Sequence, residues 1–392
     1  MGAKDKRKTA GDGSGKQAGI ISMAVYMVVG MICGMVIVHV AESRFEEDAS
    51  WGDFLLLMVS GIFLLYLAAL IQIILHEAGH LLFGLLTGYE FSSFRIGSFM
   101  WLKDNEKLRF CRMSLAGTGG QCLMVPPQMK DGTMPYVLYN LGGPLVNLLM
   151  GAVCGLVFIR LGDVPYLSVF LAAMFLVGLA FATMNGIPMR MGNVDNDGYN
   201  ALSLGKDRKA LRSFWIQMKV NEQISKGVRL KDMPDEWFEI PSEEAMKNGM
   251  TAAVGVFACN RLMDAMELEK AEESMKKLLS MDIGMAGLHR SMLQLDCIYC
   301  ELVNEKCPEH PEQMLDKELK KFMKSMKKFP SILRTRYAYA LLAEHDFEKA
   351  EQIRETFEKN AKSYPYPGEI EGERALMEKA RERYSSDFSW EM

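Results

Sequence analysis

The sequence lacks a strong excess of either charge. Its 45 Lys and Arg stand against 49 Asp and Glu, for a net charge of −4. The basic residues form no single large patch, so no nucleic-acid partner is expected. Cysteine is thin too. Eight Cys are scattered through both halves of 392 residues, which excludes a small secreted scaffold held by disulfides. Reduced thiols in a chain facing mainly the cytosol are expected instead. A cleavable leader is not expected. The first apolar run, 18–40, is longer than a signal-peptide core, and only a weak cleavage site near Ala41 follows it. Gly2 is no myristoylation site, because Lys6 stands where Ser or Thr is needed.

The chain does hold long apolar runs, all in its first half. Four are long enough to span a bilayer as helices, about 18–40, 54–87, 136–160 and 166–187. The flanking charges orient them. Lys4, Lys6, Arg7, Lys8 and Lys16 precede the first run. The loop 41–53 holds only Arg44 among five acids, whereas 88–135 holds six basic residues and 161–165 none. Alternation then puts both termini and 88–135 in the cytosol. The expected protein is a multi-pass cell-membrane protein whose partners include the lipid bilayer.

The second run contains "IQIILHEAGHLLFGLL". Residues four apart share one face of a helix, so Gln72, His76 and His80 form a stripe with Glu77 beside it. Ionisable groups inside a spanning helix usually mark function. His-Glu-x-x-His on a helix supplies two imidazoles to one metal and a glutamate to take a proton from metal-activated water. A catalytic zinc usually has a third protein ligand. Glu90 is one candidate. Asp195 and Asp197, in "NGIPMRMGNVDNDG" after the fourth run, are better ones. The second and fourth helices run in the same direction, so their cytosolic ends can share one ion. A solvated Asx turn is the plain alternative for both aspartates.

Through these motifs the sequence resembles the site-2 protease family of intramembrane zinc metalloproteases. "HEAGH", then "GGPLVNLL" with Gly143, Pro144 and Asn147, then "NGIPMRMGNVDNDG" occur in the family's order. The resemblance covers about 54–200. It implies Zn2+ held by His76, His80 and the aspartate of an Asp-Gly pair, Asp197, with Glu77 as the catalytic base. It also implies that Asn147 helps hold substrate or the developing oxyanion. An interhelical hydrogen bond is the alternative there. The interval from Asn185 to Asp197 is longer than the family's usual pattern, and its second Pro is absent.

Between the second and third runs, two strands are expected at about 91–101 and 107–114, joined by "KDNEK". The Gly- and Pro-containing stretch that follows, "LAGTGGQCLMVPPQM", is expected as a loop. Beyond 200 the pattern is amphipathic and helical. "LMDAMELEKAEESMKKLL" (262–279) and "LLAEHDFEKAEQIRETFE" (341–358) resemble each other and tetratricopeptide-type hairpins, which bind peptides or partners. Cys297, Cys300, Cys307 and His310 match no usual zinc spacing and fit helix packing better.

The expected architecture is mainly α: a basic N-terminus at 1–17, a membrane metalloprotease domain at 18–200 with four spans and a β-hairpin, and a cytosolic helical, tetratricopeptide-like domain at 201–392. The resemblance implies hydrolysis of a peptide bond in or near a membrane segment of a protein or peptide-precursor substrate, with a possible cytosolic partner at 201–392. The rival readings are a catalytically silent scaffold of the same fold, and a membrane metalloprotease with a Glu third ligand.

Overall fold

In a computed structural model, the described residues are 27–28, 30–31, 34–35, 38–39, 50–104, 107–113, 119–161, 164–191, 194–304 and 311–388. Three helices among them are long and apolar enough to cross a membrane: α1 (Trp51–Leu86), α2 (Val137–Leu161) and α3 (Pro165–Gly186). They coincide with three of the four expected runs. The other, 18–40, lies for the most part outside the described residues.

Helix α1 begins at Trp51, three residues before the hydropathy edge, because of a capping box. Ser50 Oγ accepts from the Asp53 amide at 3.3 Å, and the Asp53 carboxylate accepts from the Ser50 amide at 2.9 Å. It stops at Gly88, whose φ of +86° lets the Tyr89 amide turn back to Gly84 O at 3.0 Å. Its 36 residues make a rod of about 54 Å, longer than the hydrocarbon it would cross. Helices α1 and α2 touch backbone to backbone. A Cβ on Gly79 would lie 2.3 Å from Gly142 O, and one on Gly142 would lie 2.4 Å from Gly79 O. Ala68, Val169, Ala173 and Met174 fill the seam between α1 and α3. Leu55, Phe63, Leu82, Leu149, Leu156 and Ile159 point outward and are exposed, as suits helices whose solvent is lipid.

The chain divides into two compact units that interleave in sequence. The first is Met1–Glu90 with Thr133–Asp207, and the second is Phe91–Gly132 with Arg208–Met392. The first holds the three apolar helices, a two-stranded ribbon of β5 (Arg190–Met191) and β6 (Val194–Asp195), and the short helix α4 (Asp197–Ser203).

The second unit holds an antiparallel sheet and the remaining long helices. Its strands β1 (Glu90–Ile96), β2 (Phe99–Asp104), β3 (Lys107–Arg112) and β4 (Gly120–Val125) lie in the order β3-β2-β1-β4. The expected strand 91–101 is therefore two strands, split by a tight turn at Gly97 with φ +57°. The stretch expected as a loop contains β4, whose Cys122 and Met124 alternate inward. One face of the sheet packs on the helical half of the same unit. Met100 and Leu102 meet Tyr366 there, and the Arg109 guanidinium donates to Pro365 O at 2.5 Å. The expected membrane domain, 18–200, includes this sheet, whereas residues 91–132 belong to the second unit.

The helices of this unit are α5 (Arg208–Ser225), α6 (Gly249–Asp264), α7 (Leu268–Ser280), α8 (Gly287–Val303), α9 (Lys317–Ser325), α10 (Pro330–Ala338), α11 (Phe347–Ala361) and α12 (Pro367–Phe388). The two similar stretches, 262–279 and 341–358, each turn between helices, α6 to α7 and α10 to α11. The turns share a left-handed residue at the same place, Met266 (φ 61°) and His345 (φ 53°). Ala271 and Ala350 also correspond, and both are fully buried.

Candidate functional site

Helix geometry does the first part of the assembly. His76 and His80 project from one face of α1, one turn apart, and their Nε2 atoms lie 3.1 Å from each other. Asp197, the first residue of α4, brings Oδ2 to 3.2 Å from His76 Nε2 and 3.5 Å from His80 Nε2. These three side chains, from segments 117 residues apart (197 − 80), are the only group of this kind among the described residues.

The far side of each imidazole is committed elsewhere. His80 Nδ1 lies 2.8 Å from Tyr139 O, a pure acceptor, so it must donate. His76 Nδ1 lies 2.6 Å from Asn147 Oδ1. The Asn147 amide cannot be turned round, because its Nδ2 donates to Gln72 O at 2.8 Å and to Gln72 Oε1 at 2.7 Å. Gln72 is fixed in turn, donating from Nε2 to Met174 O at 2.8 Å. Both histidines therefore carry the proton on Nδ1, and the neutral rings aim two Nε2 lone pairs at a shared point. Gln72 and Asn147 have no exposed surface, so this relay across α1, α2 and α3 is dry.

A loop ties Asp197 in place. Asn196 caps α4, its Oδ1 accepting from the Tyr199 amide at 2.9 Å and the Met189 amide at 3.0 Å. Its Nδ2 donates to Met184 O at 2.8 Å and Ile187 O at 2.7 Å, the frayed end of α3. Gly198 allows the close approach that follows, since a Cβ there would lie 2.1 Å from Gly186 O.

The donors fit a tetrahedral cation. Zinc bonds to imidazole and carboxylate of about 2.0–2.2 Å imply ligand separations of about 3.3–3.6 Å, and the three observed separations, 3.1, 3.2 and 3.5 Å, lie in or just below that range. Two lone pairs and a carboxylate crowded together this closely repel unless a cation sits between them. Glu77, buried beside His76, is the next residue on the same helix. Gly143 roofs the rings; a Cβ there would come within 2.6 Å of both imidazoles.

The other sequence candidates lie elsewhere. Asp195 is spent on Arg190, with contacts of 2.6 and 3.3 Å across the β5–β6 ribbon. Glu90 is exposed at the head of β1. Asn147 makes the interhelical hydrogen bonds that are the alternative to a substrate role, its Nδ2 donating to Gln72 O and Oε1. Cys297 and Cys300 are buried on α8, where burial pushes the Cys297 thiol up to about 11, away from the thiolate a metal needs. Cys307 and His310 lie outside the described residues. Asn196 and Gln72 were not anticipated as fixing the site. The Asn-Asp-Gly sequence carried the only signal for Asn196, as a helix cap directly before a charged residue.

Helices of membrane-spanning length, with two histidines and an aspartate that could hold one metal ion, are the features of a membrane metalloprotein. Residues 49–191 match the family model Peptidase M50B-like, which supports the site-2 protease family of metallopeptidases for this part of the chain. No curated protein and no solved structure matches the chain.

Proposed function

We propose that the protein is an intramembrane zinc endopeptidase, with Zn2+ held by His76, His80 and Asp197. The observation that carries this reading is the convergence of the three ligand atoms, with both Nδ1 atoms turned away to fixed acceptors. Zinc bound there would acidify a water and polarise a scissile carbonyl. Glu77 takes the proton from the attacking water and later delivers it to the leaving amine nitrogen. Asn147 and Gln72 act as positioning residues that hold the His76 tautomer. The substrate is a membrane-spanning or amphipathic segment of a protein or peptide precursor, unwound locally so that its carbonyls become accessible. The charge pattern of the loops favours a site opening to the cytosol, with the helical half on the same side, where its paired hairpins would select or regulate substrates.

The test uses two variants in the native host. Glu77→Gln is expected to retain stoichiometric zinc and to lose cleavage by roughly a hundredfold or more, so uncut membrane polypeptides accumulate relative to wild type. Asp197→Ala is expected to lose zinc, and Glu90→Ala to keep it. Full processing by Glu77→Gln would sink the proposal and leave the scaffold reading standing.

A further inference from the structure

Helix α9 and the turn after it carry six lysines within residues 317–328. Lys317, Lys320, Lys321 and Lys324 lie on the helix, Lys327 and Lys328 follow it, and all six are exposed. At about 100° per residue, the four helical lysines fall within an arc of about 100°. The side away from them holds Leu319, Met323 and Met326, which are buried in the core of the unit. Glu318 lies outside the arc, and Asp316 caps the helix, accepting from the Leu319 amide at 2.8 Å.

None of the six lysines forms an ion pair among the described residues. Other lysines of the same unit sit against carboxylates. On α7, Lys276 reaches Glu272 and Glu301, each at 2.8 Å, and Lys270 reaches Glu267. Lys349 on α11 reaches Glu344 at 2.5 Å, and Lys379 on α12 reaches Glu382 at 3.3 Å. A solvated face is the ordinary use of lysine on a helix, but there acids usually stand one turn away. On α9 the neighbours one turn away are lysine again: Lys320 and Lys321 for both Lys317 and Lys324. Like charges so placed destabilise a helix, and this one has only nine residues. An anion laid along the stripe would turn the repulsion into attraction.

The shape of the stripe selects the anion. It is narrow and runs about 11 Å from Lys317 to Lys324, and Lys327 and Lys328 prolong it. A line of charge fits a linear polyanion better than a plane of headgroups. A basic helix that settles on a bilayer also inserts apolar side chains, and those of α9 are used in the core. Nucleic acid is held by Arg forks and exposed rings. The stripe has no Arg, and Phe322 and Phe329 pack on the core. Carboxylates on alternate residues of an extended peptide recur about every 7 Å. Lysines one turn apart are spaced at about 5–6 Å, a difference that their flexible stems absorb.

We infer that the lysine stripe of α9 docks an extended acidic segment of another polypeptide, about four to six residues long. The inference rests on the second unit alone, so it stands or falls apart from the protease reading.

The test uses the full chain in nanodiscs of phosphatidylcholine and dye-labelled oligoglutamate peptides, read by fluorescence anisotropy at low salt. Affinity is expected to rise with length up to about six residues and then to level off. Lys320→Glu with Lys324→Glu is expected to weaken hexaglutamate binding roughly 10- to 100-fold, and Lys320→Gln with Lys324→Gln to weaken it less. Lys270→Glu, on α7, should leave it within about twofold. Hydrogen exchange of the α9 amides should slow when the peptide is bound. Absence of binding would overturn the inference. So would binding that keeps growing with length and ignores the α9 reversals, because the attraction would then be diffuse. Two further arms decide the class of partner. An oligothymidylate of equal charge that competes better than unlabelled hexaglutamate would assign the stripe to nucleic acid. Loss of peptide binding when phosphatidylglycerol enters the nanodisc would assign it to the bilayer. Either result overturns the inference.

Discussion

Asp197 can serve the histidines only while Asn196 holds the chain beneath it. The Asn196 side-chain amide makes four hydrogen bonds: three, with Met184, Ile187 and Met189, tie the start of α4 to the end of α3, and the fourth caps α4 at Tyr199. Asn196→Ala removes all four without touching a ligand atom, so zinc affinity should fall roughly 10- to 100-fold, the usual cost of losing an outer-shell support. Asp195→Ala removes only the ion pair to a partly exposed Arg190, and affinity should stay within about fivefold. Competition with a chromophoric chelator measures both, and equal losses would contradict this division of roles. The pair also shows what could be read from sequence. His76, Glu77 and His80 were legible because helical spacing is a local property. The choice between Asp195 and Asp197 was not local. It depends on Arg190 pairing across a two-residue ribbon, and on main-chain oxygens of Met184 and Ile187 that only folding brings to Asn196.

At the scale of elements, the helical unit is pinned by a buried charge. The Arg334 guanidinium on α10 donates to Asp296 on α8 at 2.6 Å and to Glu373 on α12 at 2.9 Å, and lies 4.4 Å over the Tyr299 ring. Arg334 is 1% exposed. Arg334→Ala leaves two carboxylates facing each other without a cation, and should cost about 3–5 kcal/mol of stability in the helical unit. Combining Arg334→Met with Asp296→Asn and Glu373→Gln should recover much of it, since the uncompensated charge is then gone. Urea unfolding of the full chain, followed through the helical unit, checks both. Nothing in "SILRTRYAYA" announced a core arginine, because its partners are 38 and 39 residues away. The hairpin resemblance was legible, since Ala271 and Ala350 keep their spacing to the turns at Met266 and His345. The sheet was only half legible. Alternation marked Phe99–Asp104 and Lys107–Arg112, but Gly97 hid a turn inside one expected strand, and the glycines before Gln121 disguised β4.

At the scale of the whole molecule, hydropathy divides the chain near residue 200, whereas packing divides it differently. Residues 91–132 are inserted between membrane-length helices yet belong to the unit with the polar half. Hydropathy reports the solvent a segment prefers, not the element it packs on, so the insertion was invisible to it. The two units should therefore answer to different variables. The proposed metal site lies wholly in the first. Chelation should lower the stability of that unit alone, by about 4 kcal/mol where free zinc stood a thousandfold above its dissociation constant, and leave exchange of the α12 amides unchanged. Acidity should act with opposite signs on the two. Metal binding releases protons, so the first unit loses its metal support as pH falls. In the second, burial pushes the Glu369 carboxyl up to about 7; Glu373 adds to the shift, and the Tyr364 hydroxyl, donating at 2.8 Å, opposes it. An unfolded chain releases that proton near 4.5. Between the two values the folded state holds a proton that the unfolded state has lost, so this unit weakens as pH rises through the window. Hydrogen exchange in α12 should accelerate from about pH 5 to about pH 7 beyond the intrinsic rate, and Glu369→Gln, which cannot ionise, should abolish the excess. If the excess persists in Glu369→Gln, or if chelation and acidity move both units together, the separation of the two units in energy is wrong.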